Sequence, residues 1–598
     1  MHATQPAEPE SLPSASGSEA LSQSHGRTAP SLRPALWIIG LGVGEIVGTW
    51  WLVPDSTFQL ASLFLGPLTI GFALLGWLLF GLHIDWKMRT GLLLWFIAHT
   101  ATAGLLVDRS VLVSFGFLGL PLAAIITILS AWLLQLLRWP AHHRLVILMI
   151  PLTLFPWLLL RGDGTTGESL PIFRWRWQLT NEQRWLRSAK PPTQATENST
   201  ENNAEQTLLG ADGDWTGFRG PRRDGKVADI HLQSDWQQHR PQQRWRREIG
   251  PGWSSFCVVE NRAFTQEQRG DSECVVCYHA SSGDLLWVHE DRARFWDAAG
   301  GAGPRATPSF LAGRLYTLGA TGILNCLAAD SGKLEWSVNI AQSNQAPIPI
   351  WGFTGSPLVW KDLVVVCAGG NQQQSLIAYD RINGRRRWAS GSIGAGYGSP
   401  HFATLHGVEQ VIIIDDEGVS GYELLTGRGL WQFDLGGIPG DKTLQPCLLD
   451  QQSFLVGMGN GVGTRFLQCN RSGNDWRIEQ RWLSKGLKPK FSDLIHHQGY
   501  IYGLDGKALV CLAGDSGKRL WKGGRYGAGQ LILLGDHLLL TAENGDLALV
   551  AAQPDRHRER ARIRGLEGKT WNHPAYARGQ LFVRNGREAA CYTLSQAP

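Results

Sequence analysis

The sequence predicts an all-β propeller of eight blades, with seven as the alternative, preceded by an α-helical transmembrane domain of about five helices. Three observations lead there. A short motif ending in tryptophan recurs through the second half of the chain, a second turn signal recurs between its copies, and the first quarter holds five long apolar runs.

The motif is clearest in CLAADSGKLEW, Cys326 to Trp336. It returns as CYHASSGDLLW (Cys277 to Trp287) and CLAGDSGKRLW (Cys511 to Trp521), and more loosely as AYDRINGRRRW (Ala378 to Trp388) and GYELLTGRGLW (Gly421 to Trp431). A small residue, a polar turn ending in Gly and a Trp four residues on read as strand, tight turn, strand. Gly283, Gly332, Gly384, Gly427 and Gly517 stand where the turn asks for positive φ, and the Asp, Ser, Thr or Asn before them bonds its own backbone. Trp287, Trp336, Trp388, Trp431 and Trp521 are expected to dock against the blades. With Trp482 they are spaced 49, 52, 43, 51 and 39 residues apart, the period of a propeller blade.

The second signal is a Gly-rich or polar turn just ahead of an apolar run. It occurs eight times, at Pro251–Trp253, Arg305–Pro308, Thr354–Pro357, Gly398–Pro400, Gln445–Pro446, Phe491–Ser492, Gly529–Gln530 and His573–Pro574. The fifth and seventh units are the weakest, at Ser472-Gly473 and Ala551 to Arg556. A strand at Arg244 to Ile249 precedes the first full unit, and the chain ends on Cys591-Tyr592-Thr593-Leu594, a motif start without its Trp. The early strand is expected to complete the last blade and close the ring, removing sheet edges.

These residues resemble the tryptophan-docking repeat of the pyrroloquinoline quinone (PQQ)-like propeller family over about residues 213 to 598. DWTGFRGPRRDG (Asp214 to Gly225), GPRATPSF (Gly303 to Phe310), WGFTGSPL (Trp351 to Leu358) and KTWNHPAYARGQLFVRN (Lys569 to Asn585) resemble a membrane-anchored bacterial subgroup. Within the family, the resemblance extends to BamB-like non-catalytic propellers that serve outer-membrane assembly and to PQQ-dependent dehydrogenases. In those enzymes PQQ and calcium lie over the channel, and many carry a disulfide between adjacent cysteines. No two cysteines are adjacent here, and the compact propeller leaves little room for the insertions that cover the cofactor. Asp441, Asp493 and Glu543 are the carboxylates that reading would use.

The rest of the chain reads in order. Residues 1–33 form a Ser-, Pro- and Glu-rich cytoplasmic tail expected to be disordered, 34–161 the transmembrane domain, 162–212 a juxtamembrane segment and flexible linker, and 213–598 the propeller. The apolar runs cover about 35–53, 59–80, 91–107, 111–137 and 144–160. Arg27, Arg33, Lys87, Arg89, Arg138 and Arg144 lie on one side of them, which places the amino end in the cytoplasm and the propeller in the periplasm of a bacterial inner membrane. Glu45 lies within the first run, a candidate functional carboxylate or a buried hydrogen-bonded one. Phe173 to Trp185 interleaves Arg with Trp, suiting either a membrane surface or a plain stalk, and Pro191 to Gln206 reads as flexible.

A net charge of +5 with scattered basic residues excludes nucleic acid as the expected partner. Cys277, Cys326, Cys469, Cys511 and Cys591 fall at matching repeat positions and read as core. Cys274 and Cys277 form a CxxC, but residues three apart on a strand face opposite sides, so neither a metal nor a redox pair is expected. His142-His143 and His496-His497 lack metal-ligand spacing.

Function is therefore expected where the eight lead-in turns converge, at the channel rim. Arg305, Trp351, Tyr397, Lys490, Gln530, Asn572 and His573 are the candidate ligand-binding residues, with no catalytic and no metal residue assigned. The favoured reading is a non-catalytic binding or scaffold module in contact with the lipid bilayer and with a periplasmic protein or small-molecule ligand, without a cofactor. A membrane-bound PQQ-dependent dehydrogenase with calcium, and a sensor or transport component, stand as alternatives.

Overall fold

Each repeat Trp packs on the blade that follows it. An added Cβ at Gly283, Gly332, Gly384, Gly427 or Gly517 would meet the indole of Trp245, Trp287, Trp336, Trp388 or Trp482 at 2.5–2.8 Å. These glycines also hold φ between 67° and 76°. The motif glycine is thus required twice, by the turn and by the neighbouring ring. Most of the indole N–H groups then donate across the seam, as from Trp245 to the Ala280 carbonyl at 2.7 Å and from Trp336 to the Arg381 carbonyl at 3.1 Å. The small residue at the head of the motif sits opposite the Trp in the ladder: Cys277 faces Trp287, Cys326 faces Trp336, Ala378 faces Trp388 and Cys511 faces Trp521. A bulge follows each of these pairs and lets the turn close.

The computed structural model describes residues 31–52, 57–81, 86–137, 142–188, 208, 210–369, 374–391, 394, 396–415, 418–436, 442–459 and 461–597. Residues 1–30, Pro191 to Gln206 and Asp441, all of which figure in the sequence reading, lie outside them. Eight antiparallel sheets follow one another as blades 1–8 over 257–291, 309–339, 358–390, 401–433, 447–484, 495–523, 530–564 and 575–593. The strand Gln242–Glu248 pairs with Glu588–Thr593 as the outer strand of blade 8, so the ring closes as expected, with Trp245 opposite Cys591. Blades 5 and 7 are complete despite their weak motifs. In blade 5 the strands Gly463–Ser472 and Asp475–Ser484 each run 10 residues, and Trp482 still docks, bonding the Gly514 carbonyl at 3.2 Å.

All nine cysteines are buried and free. Cys274 and Cys277 point into different core clusters, one toward the blade 8 side and one toward blade 2. Burial pushes the Cys326 thiol up to about 12.

The helical unit contains Arg33–Leu52, Thr57–Gly76, Trp86–Leu106, Leu120–Leu136 and His142–Leu158. Among the described residues three helices, not five, are long and apolar enough to cross a membrane: Arg33–Leu52, Ala61–Phe80 and Arg109–Leu134. The helix at the expected third span starts earlier, at Trp86, and so takes in Lys87 and Arg89 as well as His99 and three threonines, and the expected fifth is a helix of 17 residues, about 26 Å against a hydrocarbon core of about 30 Å. Small residues let the first two spans approach: a Cβ on Gly42 would meet Ile70 at 2.3 Å, and one on Gly66 would meet Ile46 at 2.5 Å. Glu45 Oε2 lies beside Gly66 at this contact. Large apolar side chains such as Trp37, Leu41 and Phe72 face outward.

Candidate functional site at the mouth of the propeller

The expected juxtamembrane segment is structured next to the propeller. Leu160–Thr165 (β1) and Pro171–Trp175 (β2) pair as a hairpin, and a helix follows at Asn181–Ser188. The hairpin tip lies on the face where the lead-in turns converge. Thr165 N–H donates to the Ala299 carbonyl at 3.0 Å, and Lys569 Nζ to the Thr165 carbonyl at 3.2 Å. Gly167 N–H donates to Glu543 Oε1 at 2.6 Å, Lys490 Nζ to Ser169 Oγ at 2.9 Å, and Glu168 pairs with Lys507 at 2.8 Å. Two glycines make the fit. Gly164 has φ 89° with the Ala299 carbonyl 2.6 Å from a Cβ position, and a Cβ on Gly167 would collide with Ala528.

The seven rim candidates separate into three groups. Trp351 and Tyr397 form a half-buried aromatic pair, ring centroids 4.7 Å apart, between blades 2 and 4 and outside the hairpin contacts. Lys490 is engaged by the hairpin and lies over the Phe491 ring at 5.1 Å. The other four are built into the scaffold. Arg305 is buried on Asp297, the Gly301 carbonyl and the Gly303 carbonyl. Gln530 donates to the Phe491 and Trp571 carbonyls at 3.0 and 3.1 Å, and Asn572 to those of Gly252 and Ser254 at 3.2 and 2.7 Å, so each amide staples neighbouring blades. His573 lies deeper, 3.4 Å from Asp493 and edge-on to Phe218 at 4.7 Å. Burial pushes its pKa down.

Phe218 belongs to a segment that closes the channel. Trp215 bridges to Val258, Thr216 accepts from Phe310 N–H, and Lys226–Val227 pairs in parallel with Leu533–Leu534. These partners lie toward the downstream ends of inner strands, so the segment crosses the channel at the end remote from the lead-in turns. Two buried arginines reach up from it. Arg219 donates to the Leu494 carbonyl at 3.0 Å beside Asp493 at 3.6 Å, and Arg223 caps the Ser356 and Pro357 carbonyls, both at 3.0 Å. Burial lowers Arg223 to about 10. Asp493 is held below the usual carboxylate range: burial opposes this, but Arg219 and His573 outweigh it. Above this plug, Gln445, Ser492 Oγ, Gln530 Oε1 and Asn572 Oδ1 are buried without partners among the described residues. They come from successive blades and form a polar floor under the mouth.

The sequence reading had missed Lys569, Trp571 and Trp253. Lys569 Nζ sits 4.3 Å from the Trp571 ring and 5.1 Å from Trp253, and burial lowers it to about 8. Trp571 N–H donates to Glu543 Oε1 at 3.1 Å. The run Lys569-Thr570-Trp571-Asn572-His573 carried the signal, since three polar or aromatic side chains adjoin the two that were named.

Closed eight-bladed geometry and Trp–Gly seams define a repeat propeller. The family model described as outer membrane protein assembly factor BamB matches residues 271–523, so the repeat in this stretch is BamB-like. Among solved structures, BamB from Moraxella catarrhalis is 14% identical with a TM-score of 0.44, covering 60% of this chain and 99% of its own. Quinohemoprotein alcohol dehydrogenase from Comamonas testosteroni is 12% identical with a TM-score of 0.48, covering 64% and 82%. A europium-containing methanol dehydrogenase is 12% identical with a TM-score of 0.50, covering 63% and 90%, and attests the propeller fold alone. No curated protein matches the chain.

Proposed function

We propose that the chain is a membrane-tethered propeller that binds a protein or small ligand at the open sector of its mouth, without catalysing a reaction. The observation that carries this is the division of the mouth. Among the described residues the hairpin tip engages Lys490, Lys507, Glu543 and Lys569, and its contacts do not include the Trp351–Tyr397 pair. An aromatic pair at the mouth of a channel suits a peptide, a glycan or a ring-bearing ligand. Three apolar helices support the tether. An odd number of spans puts the amino end and the propeller on opposite sides. With three spans Arg27, Arg33, Lys87 and Arg89 remain on the amino-end side, which supports a propeller in the periplasm of an inner membrane, while Arg138 and Arg144 fall on the propeller's side.

Nothing among the described residues favours the alternative of PQQ with calcium: they hold no cluster of three His, Cys, Asp or Glu side chains, and Arg305, one of the cations that reading would use, is taken by Asp297. Asp441, one of its carboxylates, lies outside them.

The test replaces Trp351 and Tyr397 together by Ala. A photo-crosslinker at Thr354, on the same turn, should give a discrete adduct in cells, and the double variant should lose it at unchanged melting temperature. An adduct that persists in the folded double variant places the binding face elsewhere. Reporter fusions after Leu160 should be active only with a periplasm-active enzyme, and a cytoplasm-active signal there overturns the topology.

A further inference from the structure

A cavity of about 490 Å³ lies between the hairpin, the helix Asn181–Ser188 and the lead-in loops of blades 8, 1 and 2, and neither Trp351 nor Tyr397 lines it. Six cations line it: Arg161, Arg174, Arg184, Arg294, Lys569 and Arg587. Only three carboxylates do, and two of those are spent. Asp163 accepts from Arg174 Nε at 2.5 Å, and Glu182 takes Arg294 in a two-pronged pair at 2.8 Å. The third, Glu567, is exposed.

The register adds a conflict. Arg161 stands directly opposite Arg174 across the hairpin, a like-charge pairing that destabilises a ladder unless an anion intervenes. Arg161 Nε and Nη2, Arg184 Nε and Arg587 Nε are shut off from solvent and find no acceptor among the described residues. Asp108, whose charge Arg161 and Arg176 share, is bound by Ser110 at 2.6 Å and lies 3.9 Å from Arg176. Buried guanidinium N–H groups without acceptors are costly, and an anion in the cavity offsets the concentration of positive charge around it.

We infer that this cleft binds a phosphate group. Guanidinium forks match phosphate oxygens two at a time, and the volume falls among those of small-molecule sites. Trp253 and Trp296 on the wall offer apolar surface to the carbons the phosphate carries. Arg161 follows the apolar helix His142–Leu158 by three residues, and the exposed rings of Trp175 and Trp177 stack 5.1 Å apart close by in the chain. On the tethered reading above, a phospholipid headgroup is one source; a soluble phosphomonoester is the other.

The full chain in detergent is titrated with short-chain phosphatidylglycerol, short-chain phosphatidylcholine and glycerol 3-phosphate, followed by tryptophan fluorescence and native mass spectrometry. Saturable binding is expected, weakened at least tenfold in the Arg161→Gln, Arg587→Gln double variant and unchanged in Arg314→Gln, whose partner is Glu335 on blade 2. Phosphatidylglycerol binding well above the other two identifies a lipid headgroup, and glycerol 3-phosphate binding as tightly identifies a soluble ligand. The double variant removes unpaired buried charge, so its ligand-free melting temperature should hold or rise. Arg161→Lys, a milder change, should lose part of the affinity. Absence of saturable binding, or equal affinity in the wild-type chain and a folded double variant, overturns the assignment. Neither result touches the test at Trp351 and Tyr397, which line a different sector.

Discussion

Replacing Glu543 by Ala isolates the hold of the propeller on the hairpin. Glu543 accepts three hydrogen bonds, from Gly167 N–H at 2.6 Å, Ala528 N–H at 3.0 Å and Trp571 N–H at 3.1 Å. Two of these stay within the propeller, and the Gly167 bond alone spans to the tip. A hydrogen bond to a charged acceptor contributes about 1.5–3 kcal/mol, and each 1.4 kcal/mol is a factor of ten in an opening equilibrium. The amides of residues 164–170 should therefore exchange about 10 to 100 times faster in Glu543→Ala, read by hydrogen–deuterium exchange on the full chain. The contacts of Lys490 with Ser169 and of Lys507 with Glu168 survive, so the tip should loosen without leaving. Glu543→Gln, which keeps an acceptor, should fall between. If tip exchange is unchanged while the blades remain protected, the hairpin is held by something other than the rim, and the division of the mouth into covered and open sectors fails with it.

Two further outcomes follow from the scaffold. Trp245→Ala removes the ring that joins blade 8 to blade 1, a buried side chain bonded to Ala280 at 2.7 Å, and should cost about 3–5 kcal/mol in denaturant unfolding; an unchanged midpoint would mean the ring does not lock at this seam. His401 is held down to about 3 by burial, with Arg223 and Arg219 adding to the shift, so it stays neutral in the folded chain while the unfolded chain binds a proton near pH 6.5. Its stabilising contribution is complete above pH 6.5 and falls away as the pH drops toward 3, by about 1.4 kcal/mol per pH unit. His401→Gln should flatten the acid limb of a stability–pH curve by one proton's worth, and an identical slope in the variant would show that His401 is protonated in the folded state.

The blade architecture was legible because its determinants are local and repeated. A turn glycine, a small residue and a Trp lie within eleven residues, and the same spacing recurs where the same packing problem recurs. The strand Arg244 to Ile249 could be assigned to the last blade because the final motif lacked its Trp. The count of membrane spans was less legible, because Lys87 and Arg89, which read as a loop, continue the third helix, and the fifth run forms a helix of only 17 residues. The rim was legible as a place and not as a set of roles. Arg305, Gln530 and Asn572 look like ligand donors in a sequence; the carbonyl partners of Gln530 and Asn572 lie on neighbouring blades and cannot be read from any window around them, while Arg305 turns back on Asp297, Gly301 and Gly303 within its own loop.

The two largest omissions share a physical cause. The hairpin and the channel plug each make contacts hundreds of residues away in the chain, from Gly167 to Glu543 and from Arg219 to Leu494. Neither has the repeat's periodicity, and both spend polar groups on backbone carbonyls or single side chains. Yet the sequence marked them indirectly. Segments that cross a finished ring must turn sharply in little space, which explains Gly164 and Gly167 in one, and Gly220 and Gly225 at φ 84° and 71° in the other. They must also bring donors to carbonyl groups that the blades leave unpaired at their ends, which explains the arginines of Asp214 to Gly225. The Arg–Gly density of that stretch fits a segment that fills a channel better than one that lies on a surface. By the same logic, the Arg density of 161–187 exceeds what the hairpin's own contacts consume, and the unpaired remainder is what the phosphate cleft would use.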